Sequence, residues 1–285
     1  MVFRMNLLSA GFWALTGLWM QPGAFQAQPP AQSLEWTLPH NTAVVVASPR
    51  TWRFTVVYNT AGPTGEIIQR QRITGDYTRG LPGNEVVWHN VTSATAPGAE
   101  AAFSAPEKQT YMEGFRYRND VAPTFAPGFF KSFPPSAIME RNLVWDTGMF
   151  EMFGENHFDQ LQLNVPLHSG PGGNLKLPDL GTFQNHDTVL EWVGRSQRNG
   201  QDCALIDYRA FFNPLDLATG GMTLKGRSDY WGQIWVSLAT KQIEYATLYE
   251  EVFGQMKLPG QTAPQPLSVF RTGTFEPLPA NDTGR

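Results

Sequence analysis

The sequence predicts a mainly β fold, an antiparallel curved sheet or half-barrel with a short helical insert. Three observations carry that expectation. Runs of β-branched and aromatic residues are separated by Gly, Pro and Asn turn clusters along most of the chain. Several of those runs alternate apolar with polar residues, the pattern of a sheet that is wet on one face. One stretch, 136–154, breaks the alternation and reads as helical.

Taken in chain order, the strands begin with 53–58 (RFTVVY), 66–74 (EIIQRQRIT) and 85–91 (EVVWHNV), with GPTG and RGLPGN as the intervening turns of a meander. The segment 125–135 (FAPGFFKSFPP) is too rich in proline to be a regular strand. Ser136 then offers a helix N-cap with Glu140 in the first turns, and Gly148 and Gly154 punctuate the end of one or two short helices. Strands resume at 188–195 (TVLEWVGR) and, after the turn RNGQD, at 203–212 (CALIDYRAFF). In the latter, Ala204, Ile206, Tyr208, Ala210 and Phe212 share one face, and Asp207 and Arg209 the other. An Asn-Pro and Gly-Gly loop precedes 230–238 (YWGQIWVSL), with Tyr230, Ile234, Val236 and Leu238 on one face. The stretch 242–256 fits both helical and strand spacing. A strand is expected through about Tyr249, because ATK after Leu238 reads as a hairpin turn, and 250–256 is open between the two.

These elements define a single β-rich domain over 41–258 with its helical insert at 136–154, a Pro/Gln-rich linker at 28–40, and a poorly ordered tail at 259–285 holding at most a short strand at 267–271. Arg4, the uncharged apolar run 7–20 and the break at Gln21–Pro22–Gly23 have the order of a secretory signal. As a helix the run spans about 21 Å, against a hydrocarbon core of roughly 30 Å. Residues 1–27 are therefore expected to be a signal peptide or an anchor. The cleavage positions after Ala24 or Ala27 are imperfect, because Pro22 and Phe25 stand where a small residue is preferred. The protein is expected to be exported, periplasmic or extracellular, with anchoring to the membrane as the alternative to cleavage.

Composition mainly excludes. Cys203 is the sole cysteine among 285 residues, which rules out an internal disulfide framework and a cysteine-based metal site. With 21 basic against 25 acidic residues and a net charge of −4, no electrostatic footprint for nucleic acid is present. No cofactor is expected.

The titratable clusters are each explicable without chemistry. Glu151, Glu155, His157 and Asp159 (EMFGENHFDQ) carry metal-type donors but lack an HExxH spacing or a calcium-loop ladder, and suit a solvated loop. His168–Ser169 before Gly170–Pro171–Gly172–Gly173 lacks the trailing Lys of a phosphate loop and the GxSxG of a nucleophile elbow. Glu191 and Asp207 on neighbouring strands suit a carboxylate-dependent hydrolase only at the right separation, and Arg195 and Arg209 offer them cross-strand partners instead. Cys203 reads as a small buried residue.

The aromatic residues are more specific. Phe125, Phe129, Phe130 and Phe133 either plug the fold or form an apolar lip for lipid, ligand or partner. Trp88, Trp192, Trp231 and Trp235 line a core or cavity, with a glycan platform as the alternative. The candidate ligand- or partner-contacting set is Phe125, Phe129, Phe130, Phe133, Trp145, Trp192 and Trp235, and no catalytic or metal-ligating residue is assigned.

Over roughly residues 50–256, the layout of a long meander interrupted by short helices and ending in the CALIDY, YWGQIWV and IEYATLYE strands resembles the half-barrel of bacterial lipoprotein carriers and related periplasmic lipid-binding proteins. That resemblance implies a curved sheet around an apolar groove with helices as its lid, and no family residue carries over. The expected function is a non-catalytic extracytoplasmic carrier of an apolar, lipid-like ligand. An accessory or scaffold subunit of a membrane protein complex is the alternative, and a carboxylate-dependent hydrolase a second one.

Overall fold

In the computed structural model, Leu38 and residues 49–119, 123–170, 173–177 and 180–279 are described. The signal or anchor segment and, apart from Leu38, the linker lie outside them. Leu38 is only 2% exposed and sits in the core, so the expected linker contributes at least one packed side chain.

The mainly β, antiparallel expectation holds. Strands β1 (Arg50–Ala61), β2 (Ile67–Leu81) and β3 (Glu85–Pro97) form the first meander, and short β4 (Glu107–Lys108) and β5 (Phe115–Arg118) pair with β3. Helix α1 (Ile138–Glu151) follows, continued by a π-helical turn at Met152–Asn156. Then come β6 (Leu167–His168), β7 (Gly173–Leu177), β8 (Gly181–Asn185), β9 (Val189–Arg198), β10 (Gln201–Thr219), β11 (Met222–Ser237), β12 (Ile243–Lys257) and β13 (Gln265–Pro277). The thirteen strands make one sheet in the order β4-β3-β2-β1-β13-β12-β11-β10-β8-β7, with β9 also on β10, and the sheet does not close into a barrel.

The largest correction concerns the tail. Residues 265–277 form β13, a central strand hydrogen-bonded to β1 on one side and β12 on the other, and it joins the two meanders. Its Pro, Gly and Thr content obscured an alternation of Val269, Arg271, Gly273 and Phe275 that faces the helix. Elsewhere strand pairing overrides local turn signals. The strand expected through about Tyr249 is present and continues to Lys257, which resolves 250–256 as strand. β10 runs through Asn213–Pro214 to Thr219, where a loop was expected, and only Gly220–Gly221 turns. A bulge between Ala210 and Asn213, with Phe212 at φ 61°, turns Phe212 away from Tyr208 and leaves it 61% exposed. At the helix start Ala137, not Ser136, is the N-cap, with no side-chain capping bond; the Ser136 carbonyl accepts from Ile138 N–H instead.

Curvature follows from contacts. β2 and β10 are five strand spacings apart, about 24 Å in a flat sheet at ~4.8 Å per spacing, while a helix is only about 10–12 Å across. Yet the same helical segment touches both: Glu151 meets Tyr77 on β2 at 2.8 Å, and the Phe153 ring lies 5.4 Å from that of Tyr208 on β10. The sheet must therefore curl around α1. Bulges in β1, β2, β10 and β11 supply bending and twist.

The concave face is the core. Trp52, Phe54, Tyr77, Trp88 and Phe275 pack ring against ring, with Trp52 stacked on Phe275 at 5.9 Å. Leu143, Val144, Phe150 and Phe153 press onto them from the helix, all at most 1% exposed. Between β11 and β12, Gly232 leaves no room for a side chain, since a Cβ there would fall on the Thr247 carbonyl oxygen. Gly232→Ala should lower stability by about 1–3 kcal/mol, whereas Gly194→Ala, which meets nothing within 4 Å, should change it by under about 0.5 kcal/mol. Urea unfolding of the two variants reads the difference.

Candidate functional site

The concave face becomes polar where α1 crosses it. Arg271 on β13, 8% exposed, makes a two-pronged bond to Asp146 on the helix at 2.6 and 3.1 Å, and its Nε bonds Glu250 on β12, which also accepts from Ser228. Arg79 on β2 does the same one turn onward. It reaches Glu155 at 2.9–3.1 Å and Glu151 at 3.1 Å, and Glu151 takes further bonds from the Tyr77 hydroxyl at 2.8 Å and Asn119 at 2.8 Å. The helix is thus fixed to the sheet by two buried guanidinium–carboxylate clusters. The π-turn is what brings Glu155 round to Arg79.

Of the sequence-read metal cluster, Glu151 and Glu155 are these structural partners, and Asp159 pairs with Lys241 at 2.6 Å. Among the described residues, no group of three His, Cys, Asp or Glu is placed to hold a metal. Glu191 and Asp207 stand opposite each other on β9 and β10, with Arg209 3.8 Å from Glu191 and the Gln233 amide donating to Asp207 at 2.9 Å. His168 pairs with Asp187 at 2.6 Å, and Cys203 is buried, which pushes its thiol up to about 11.

The aromatic candidates separate into three places. Phe130 and Phe133 are buried, and with half-buried Phe129 they form a cluster with Phe115 and Tyr117 at 4.8–6.3 Å. Phe125 is half-buried and stacks on Trp145 at 5.8 Å, which in turn meets Phe130 edge-on at 5.4 Å. Within the Phe loop, Phe130 and Phe133 therefore plug the fold, while Phe125 and Phe129 keep part of their rings at the surface. Trp192 is 1% exposed in the core, and Trp88 likewise. Trp235 lies on the opposite, convex face, packed on Tyr245 and Arg198.

That convex face carries a second aromatic group, so Trp231, like Trp235, lies outside the core that was expected for it, because it occupies the outward phase of β11. Trp231 stacks on Tyr249 at 5.9 Å and lies 6.2 Å from Phe211, beside a 360 Å³ depression floored by Asp207, Gln233 and Thr247. Phe211, Phe212, Tyr249 and Phe253 are 38–61% exposed, and Arg227 lies over Phe212 and Phe253. The alternation of β10–β12 contained this signal, because aromatics occupy the phase opposite to the core. A further depression of 280 Å³ opens at the end of the concave face between β2, β3 and the start of α1.

No family model and no curated protein sequence matches the chain.

The chain is similar to lipovitellin.

The match, to a structure described as lipid–protein interactions in lipovitellin, has a TM-score of 0.38 and 13% identity, and covers 81% of this chain. The chain spans 25% of the lipovitellin chain. Among the described residues of this protein, no helix is long and apolar enough to cross a membrane.

The electrostatics of the two clusters make a pH prediction. Burial raises the Asp146 carboxyl to about 6, against the opposing pull of Arg271, and raises Glu155 to about 7 against that of Arg79. An acid whose folded value lies above its unfolded one binds protons more tightly when folded, so stability falls as pH rises from about 4 to 7. Glu113, held down to about 2 mainly by its His89 hydrogen bond, acts oppositely but only as pH drops below about 4.5. Between pH 5 and pH 8 the buried pair should dominate, with stability lower at pH 8. Glu155→Gln should remove on the order of 1–3 kcal/mol of that pH dependence, read by urea unfolding at both pH values.

Proposed function

We propose that the protein is a non-catalytic, extracytoplasmic carrier that binds an apolar, lipid-like ligand between its curled sheet and the segment 136–154. The observation that supports this most is the construction of the concave face. It is wide, aromatic and apolar, one helix covers it, and polar clusters at two points seat that helix, with a half-exposed Phe lip at its flank. A ligand chain would enter past Phe125 and Phe129 and take over contacts that Phe150, Phe153 and Leu143 make with the sheet. Export is part of the proposal and rests on the amino-terminal sequence.

A saturable fluorescent fatty acyl probe should bind the purified protein, and organic extraction should release lipid from it. Phe125→Ser and Phe129→Ser should each weaken the probe about 5- to 30-fold, the equivalent of ~1–2 kcal/mol of lost apolar contact. Absence of both extractable lipid and saturable binding would remove the carrier reading.

The exposed aromatics of the convex face favour a second reading, an accessory subunit docked on a membrane complex. Phe212→Ser with Phe253→Ser should then abolish co-migration with larger species after mild detergent extraction and leave probe binding unchanged. A wild-type chain that migrates alone would count against it.

A further inference from the structure

The 280 Å³ depression at the open end of the concave face is walled by Gln71 on β2, Ser93 and Thr95 on β3, the segment around Gln109 and Tyr111, and Ser136 and Glu140 at the start of α1. Glu140 is only 5% exposed. No Lys or Arg is among the described residues that line it. Of the cations next to lining residues in the sequence, Lys108 pairs with Glu113 at 3.1 Å and the Arg141 guanidinium lies over the Phe130 ring at 5.3 Å.

Hydrogen-bond accounting shows what the walls lack. The Gln71 amide donates to Ser93 at 3.0 Å, and the Gln109 amide donates to the Glu107 carbonyl at 3.0 Å. The Ser104 hydroxyl donates to the Ala105 carbonyl at 3.3 Å. The Tyr111 hydroxyl, with a single proton, stands between Gln109 Oε1 at 3.0 Å and the Glu140 carboxyl. One amide proton each of Gln71 and Gln109 is thus used within the wall, while the carboxyls of Glu107 and of Glu140, which accepts from Tyr111, are acceptors only when ionised. A complementary ligand brings protons and positive charge. An ammonium has three donors and no acceptor, and adjacent hydroxyls would suit Thr95 and Ser136. A phosphate or carboxylate would find no Lys or Arg in the lining and would meet two carboxyls there.

We infer that this depression binds a small ammonium-bearing, hydroxylated group, with the Glu140 carboxyl as its anchor and Glu107 and the wall hydroxyls as secondary contacts. Burial alone raises the Glu140 carboxyl above its usual range, a cost that an ammonium partner would offset. The Tyr111 ring lies 5.1 Å from that of Phe133, so the polar site adjoins the buried part of the Phe cluster. The group is accordingly either the headgroup of the apolar ligand, in which case the inference rests on the carrier reading, or a free small amine, in which case it stands apart from it.

The test is titration of ethanolamine into the full chain at pH 8, followed by amide NMR at residues 109–111 and 136–140, with glycerol and inorganic phosphate as separate arms. Saturable ethanolamine shifts at these amides, at least ten-fold tighter than glycerol and absent with phosphate, are expected. Glu140→Gln should weaken them at least ten-fold. Ser136→Lys, at an exposed position that leaves the buried carboxyl in place, should do the same and decides the matter if Glu140→Gln does not fold. Phosphate shifts at the same amides, or undiminished ethanolamine binding in folded Ser136→Lys and Glu140→Gln, would overturn the site. Lysophosphatidylethanolamine and lysophosphatidylglycerol separate the sources. A ten-fold preference for the former that Ser136→Lys abolishes assigns a headgroup. Ethanolamine binding without that preference assigns a free amine. Failure of the acyl probe with ethanolamine binding intact removes the carrier reading alone.

Discussion

An open sheet that curls has a concave face too large to leave in water, and everything distinctive in this protein follows from how that face is covered. A closed barrel fills its interior with its own strand residues. Here the ladder stops short of closure, and a single helix with its π-turn takes the place of the missing wall. Apolar burial supplies the drive, since Leu143, Val144, Phe150 and Phe153 are removed from water almost completely. Apolar contact is not directional, however, and a smooth aromatic face would let a short helix settle in several positions. The two guanidinium clusters remove that freedom. Arg271 can pair with Asp146, and Arg79 with Glu151 and Glu155, only when α1 has one rotation and one height.

Such clusters are not an efficient way to gain stability, because the desolvation of a buried pair can match or exceed its attraction. The raised carboxyls of Asp146 and Glu155 carry that cost directly. Positional specificity is the better account of their presence. It also separates two properties that an all-apolar interface would join: the helix is seated accurately, yet the polar part of its hold is made at two discrete points rather than along its length.

The strands that end the ladder are short: β4 has two residues and β7 five, and the two-residue β6 covers the start of β9. The long strands β10 to β13 lie inside the ladder, where their aromatics can face outward without an adjacent open edge. This arrangement made most of the architecture legible from alternation. Strands beginning near 53, 66, 85, 188, 203 and 230, the ATK hairpin and the helical insert could all be read, because each has local periodicity or turn chemistry. β13 was legible only as a possible short strand at 267–271, since Pro266, Gly273 and Pro277 look like a tail and only pairing with β1 and β12 makes them part of a strand. The Phe212 bulge was not legible either, because a phase slip leaves the residue types unchanged.

The site was half legible for a related reason. Phe125, Phe129, Phe130, Phe133 and Trp145 do converge, as their proximity in the chain suggested. The charged residues that seat the helix come from β2, β12, β13 and α1, far apart in sequence, and no local window joins them. A signal existed nonetheless: Arg271 is in phase with Val269 and Phe275, and Glu250 with Ala246 and Leu248, so each charge interrupts an inward-facing apolar series. A charge in the apolar phase of a strand has no solvent to face. It therefore implies a partner of opposite sign on whatever covers that strand, and the only α-helix among the described residues carries Asp146, Glu151 and, in its π-turn, Glu155. Read in that way, the alternation that located the sheet also contained the information that a carboxylate-bearing element lies across its inner face.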